Sequence, residues 1–125
     1  MFDSLKIYCK TKVPLTDEEL KLIDTYFEVK DLMKKDFLLK DGKICNLVGF
    51  IAKGTIRHFH IKVGVEKTCV ISFENSWVTD FQSFTHNTSC IMNLQAMEDT
   101  TVFVIRKKTF INYTPNVINI KLLAD

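Results

Sequence analysis

Apolar and polar positions change rhythm twice along the chain. Leu20, Ile23 and Phe27 fall at helical spacing, with Lys21, Asp24 and Glu28 between them. Thr16 can cap this segment, Glu19 stands where a capping box needs it, and Pro14 keeps the preceding chain extended. The spacing predicts a helix from Thr16 to about Phe27. From Val29 onward short apolar runs alternate with the turn signals Asp41-Gly42, Lys53-Gly54, Val63-Gly64, Glu74-Asn75-Ser76 and Glu98-Asp99. The predicted strands are Phe37–Leu39, Leu47–Ala52, Thr55–Ile61, Thr68–Phe73, Ile91–Ala96 and Thr101–Ile105. Many short strands at this spacing predict an antiparallel sandwich or barrel. After Arg106 the helical period returns, first over Lys107–Asn112. Thr114 can then cap a second helix with Pro115 in its first turn, and Val117, Ile120, Leu123 and Ala124 form one apolar stripe.

With 125 residues, 46% of them hydrophobic, the chain has the size of one domain. No run of eighteen apolar residues predicts a membrane span, and MFDSLKIYCKTKVPLTDEEL has no apolar signal region, so the cytoplasm is the expected location. Cys9, Cys45, Cys69 and Cys90 lie 36, 24 and 21 positions apart, without a C-x-x-C pair, and are expected to be reduced, mostly buried thiols.

Charge is uneven. Residues 1–43 carry nine basic and nine acidic side chains, residues 44–105 four and five, and residues 106–125 four and one. The one basic cluster, Arg106-Lys107-Lys108, is too short for a nucleic-acid footprint, so no specific DNA binding by this chain alone is expected.

Lys40-Asp41-Gly42-Lys43-Ile44-Cys45-Asn46, followed by Gly49-Phe50-Ile51-Ala52-Lys53-Gly54-Thr55-Ile56-Arg57, resembles the cyclic-nucleotide-binding β-roll of the Crp/Fnr regulators, in their Bacteroidetes-type branch. Three further stretches agree in order: the capped helix at Thr16, Phe73–Ser76 leading to Thr79–Phe84, and Ala96-Met97-Glu98-Asp99-Thr100-Thr101-Val102. The resemblance covers about residues 16–112. It implies a mainly β, jelly-roll-like β-roll (a double-stranded β-helix) with flanking helices over residues 1–112, and the start of a dimerisation-type helix over 113–125. Gly42 and Gly54 sit at turns where a positive φ is expected.

The resemblance also locates a ligand site and a departure from it. The family's phosphate-binding cassette, F-G-E-L-A-L and then R-T/S-A, falls on Val78, Thr79, Asp80, Phe81, Gln82 and Ser83, with Cys90 and Ile91 at the Arg and the residue after it. Gly is replaced by Thr79, Glu by the shorter Asp80, and Arg by Cys90. No Arg or Lys lies between Lys67 and Arg106 to restore the cation. The expectation is a degenerate cyclic-nucleotide site, open to an unidentified small-molecule effector or to none; the other reading of Asp80 is a turn or helix-cap carboxylate. Trp77, Phe81 and Phe84, at i, i+4 and i+7, are expected to form one apolar face of a short helix.

Competing chemistries are weaker. His58-Phe59-His60 with Glu66 is a near miss of a cupin metal pattern, without the partner residues that pattern needs. The simpler expectation is a solvent-side His pair whose opposite face, Phe59 and Ile61, packs. No cysteine signature marks an iron–sulfur cluster or a catalytic triad. The sequence therefore predicts a non-enzymatic sensing domain with no cofactor and no metal. It would form a weak homodimer through Val117, Ile120, Leu123 and Ala124, and has no helix-turn-helix within residues 1–125. A ligand-free interaction or structural module and a cupin-like metal protein are the alternatives.

Overall fold

Thr16 opens its helix as a complete capping box. Its Oγ1 accepts from the Glu19 amide at 3.1 Å, and the Glu19 carboxylate accepts from the Thr16 amide at 2.9 Å. In the computed structural model, which describes residues 1–12 and 14–112 and side chains as far as residue 109, this helix is the second of the chain. It runs Asp17–Tyr26 (α2) and follows an unforeseen helix, Asp3–Lys12 (α1). Lys6 of α1 and Asp24 of α2 join the two through an ion pair of 2.6 Å.

Eight strands follow: Glu28–Leu32 (β1), Phe37–Leu39 (β2), Leu47–Lys53 (β3), Ile56–Lys62 (β4), Val65–Ser72 (β5), Trp77–Val78 (β6), Asn93–Ala96 (β7) and Thr100–Arg106 (β8). A third helix, Phe81–His86 (α3), separates β6 from β7, and a fourth, Lys107–Asn112 (α4), follows β8. The strands form two four-stranded antiparallel sheets, ordered β1-β8-β3-β6 and β2-β7-β4-β5. The expected mainly β architecture with flanking helices is therefore observed. The stripe of Val117, Ile120, Leu123 and Ala124, with the rest of 113–125, lies outside the described residues.

Strands β3 and β8 are apolar on both faces because both faces are covered. Phe50 and Phe103 stand opposite one another in the ladder; Phe50 meets Tyr8 of α1 at 5.1 Å and Phe103 meets Phe2, just before α1, at 4.9 Å between ring centroids. On the other face Gly49, Ile51, Val102 and Val104 join Leu38, Ile56, Leu94 and Ala96 of the second sheet in one core. A separate cluster covers the outer side of that second sheet. There the Phe37 and Phe59 rings lie 6.2 Å apart, under the Lys40 ammonium at 4.8 Å and the Arg57 guanidinium at 3.9 Å.

Two expectations fail for identifiable reasons. Trp77, Phe81 and Phe84 do not share a helix face: Trp77 belongs to β6, opposite Phe50, Phe81 is 66% exposed, and Phe84 is buried. Helical spacing there spans a strand, a cap and a helix. Ile61 does not pack either; it is 52% exposed, because β4 and β5 run beyond β7 as a projecting hairpin. Glycine serves the turns as expected, with φ of +83° at Gly42 and +99° at Gly54. Among the described residues no helix is long and apolar enough to cross a membrane.

Candidate functional site

The segment 78–91 is built as a strand, a cap, one short helix and a return. Val78 is pinned to β3 opposite Gly49 and is buried in the core. Asp80 then caps α3, its Oδ1 accepting from the Ser83 amide at 3.1 Å. Asn87 ends the helix in the left-handed region, φ 60° and ψ 33°, donating its amide to the Ser83 carbonyl at 2.9 Å. The return strand is fixed to the Asp41-Gly42 turn. Ser89 bridges Ile44, the Cys90 amide donates to the Lys43 carbonyl at 2.7 Å, and the Gly42 amide donates to the Cys90 carbonyl at 2.9 Å.

This frame brings together Thr79, Asp80, Ser83 and Cys90 of the expected site. It adds Cys45, which the sequence did not single out. Ser83 is the hub: its Oγ accepts from the Cys45 amide at 2.8 Å and from the Cys90 thiol at 3.3 Å, and it donates to the Thr88 carbonyl. Thr79 Oγ1 donates to the Leu47 carbonyl at 2.9 Å and lies 3.3 Å from the Cys45 sulfur. Ser83, Cys45 and Cys90 are almost fully buried. Phe81, Gln82 and Ile91, by contrast, face solvent and Val78 packs in the core, so four of the eight candidate residues do not converge.

The electrostatics of the cluster oppose an anion. Burial pushes the Cys90 thiol above its ordinary pKa; the Ser83 hydrogen bond offsets part of this, and the Asp80 carboxylate adds to it. A thiol held protonated supplies no positive charge. Asp80 Oδ2 is buried without a hydrogen-bond partner, so the cluster offers this carboxylate oxygen neither a donor nor a cation among the described residues. Lys107 brings an ammonium to 5.4 Å from the Phe84 ring, but no ion pair joins it to Asp80 among the described residues. Four clefts of about 270 to 620 Å³ on the described surface draw their walls from segments other than 78–91.

The histidine pair is occupied differently from a metal site. His58 is half-buried, with Nε2 2.9 Å from Ser72 Oγ, and burial pushes its imidazole below the usual range. Glu66 pairs with Arg57 at 2.8 Å. Among the described residues no group of three or more His, Cys, Asp or Glu is arranged to hold a metal ion.

No family model and no curated protein matches the sequence. Solved structures match the shape. The regulatory domain of Toxoplasma gondii PKA, solved with cAMP, superposes with a TM-score of 0.78 at 10% identity, over 92% of this chain and 45% of that one. The sensor domain of the transcriptional regulator DNR from Pseudomonas aeruginosa gives 0.76 at 16%, over 98% and 83%. The Thermus thermophilus catabolite activator protein gives 0.69 at 19%, over 84% and 47%. This chain has the fold of the cyclic-nucleotide-binding domains. It spans less than half the length of the Thermus and Toxoplasma proteins. At these identities the likeness fixes the β-roll alone.

Proposed function

We propose that the chain is the effector-sensing, regulatory domain of a Crp/Fnr-like transcription regulator, cytoplasmic and without catalytic activity, whose phosphate-binding cassette has become a closed cluster without a cation. The observation that carries this reading is Cys90. By the sequence resemblance it stands at the position of the motif's Arg, and its thiol donates to Ser83 within the protein. A cyclic phosphate brought there would meet buried sulfur and the Asp80 carboxylate instead of a guanidinium. Losing one partner of a buried, charged hydrogen bond costs about 2 to 5 kcal/mol, a roughly thirty- to several-thousand-fold loss of affinity. An effector for this roll would accordingly be uncharged where the phosphate sits, and signalling would pass to the segment that follows Asn112.

Calorimetric titration with cAMP and with cGMP tests the first part. No saturable binding is expected through the micromolar range, and micromolar or tighter affinity for either would refute the degenerate site. Sedimentation at several concentrations tests the second. The stripe of Val117, Ile120, Leu123 and Ala124 should give a weak, concentration-dependent homodimer that Ile120→Asp abolishes. A strict monomer, or a dimer indifferent to that charge, would remove the proposed interface.

A further inference from the structure

The β4–β5 hairpin carries chemistry that the roll does not use. Its register steps from His58 opposite Val70 to Phe59 opposite Thr68, leaving Cys69 as the extra residue of a bulge. A bulge re-aims the side chain it carries. Here it sets the Cys69 sulfur 3.3 Å from Nδ1 of His60 while leaving the residue exposed. The other three cysteines are buried, Cys9 with its thiol pushed up to about 11 by burial. Only Cys69 combines access from solvent with a proton acceptor in contact.

The surrounding charge indicates the kind of reagent. Lys67 stands directly opposite His60, and Lys62 lies two residues beyond His60 on the same strand, so all three share one face of the hairpin. Neither lysine enters an ion pair among the described residues. Glu66, the hairpin's one carboxylate, belongs to the alternate face and is held there by Arg57 at 2.8 Å. The thiol–imidazole pair therefore lies beside two uncompensated cations.

We propose that Cys69 is a modification site for anionic low-molecular-weight disulfides, with His60 as the proton acceptor. The Cys69 proton passes to His60 Nδ1, which requires the tautomer protonated at Nε2. Sγ then bonds to one sulfur of the reagent as its S–S bond breaks, and the departing thiolate takes up the proton from the imidazolium. One disulfide is broken and one is made; Cys69 is oxidised and half of the reagent is reduced to a free thiol.

The full chain treated with oxidised glutathione at low salt, and mapped by peptide mass, is expected to carry its first adduct on Cys69. Oxidised glutathione should react faster than the cationic disulfide cystamine, and that preference should fall with added salt or in the double variant Lys62→Gln/Lys67→Gln. His60→Gln should slow the adduct by roughly tenfold or more without moving it to another cysteine. A first adduct on Cys9, Cys45 or Cys90, an unchanged rate in His60→Gln, or equal rates for the two reagents would overturn the proposal.

Discussion

Gly54→Ala should lower the unfolding free energy by about 3 to 5 kcal/mol, whereas Gly42→Ala should cost only about 1 kcal/mol. Both glycines have a positive φ, +99° and +83°, so both variants carry the strain of placing an L side chain in the left-handed region. They differ in what the added carbon meets. At Gly42 there is nothing within 4 Å. At Gly54 a Cβ would lie 2.3 Å from Thr100 Oγ1, 2.8 Å from Thr100 Cα and 2.9 Å from the Asp99 carbonyl. Two of those atoms are backbone, and the third is tied in place. Thr100 Oγ1 donates toward the Glu98 carbonyl at 2.8 Å and accepts from the Thr55 amide at 3.3 Å. Neither chain can step aside without breaking the contact between the β3–β4 turn and the start of β8. Urea denaturation of the two variants separates the shared backbone strain from the clash. Equal losses would mean that Thr100 yields and the close approach is not rigid.

This turn was legible in the sequence because Lys53-Gly54 separates two apolar runs, and the same signal located β2, β3, β4, β5, β7 and β8 to within a few residues. The elements that went unseen lack such a signal. Helix α1 has no capping box, and it buries only two side chains of its own, Leu5 and Cys9, too short a stripe to stand out in the sequence. It packs on the sheet through Tyr8 against Phe50, with Phe2 just before it against Phe103. Strand β1, EVKDL, buries only Leu32, so its alternation is nearly all polar. Strand β6 is two residues long and exists by pairing with β3. In the candidate site, the capping role of Asp80 could be read from the chain. Cys45 could not. It reaches Ser83 across 38 positions because Ile44 bridges Ser89, and a single bridge between two loops leaves no periodic trace.

Ser83→Ala should cost about 2 to 4 kcal/mol, far more than a surface serine, because one oxygen satisfies three groups at once. Its removal leaves the Cys45 amide without an acceptor, in a residue with no solvent exposure, and strips the Cys90 thiol and the Thr88 carbonyl of their partner. A methyl group fills the site too well for water to replace the hydroxyl's bonds readily. Ser89→Ala is the control. Ser89 is exposed and only one residue from Cys90, so its variant should stay within about 0.5 kcal/mol of the parent. The two variants also differ in what they expose. Ser83 holds α3 to Cys45 and to Thr88 and Cys90 of the return segment, so its loss should loosen the cluster and let an alkylating reagent reach Cys90, which the parent protects at 3% exposure. Denaturant midpoints give the first comparison and peptide-resolved thiol labelling the second. If Ser83→Ala matches Ser89→Ala in both, the hydrogen-bonded hub does not close the cassette, and the space beside Cys90 is open to a ligand after all.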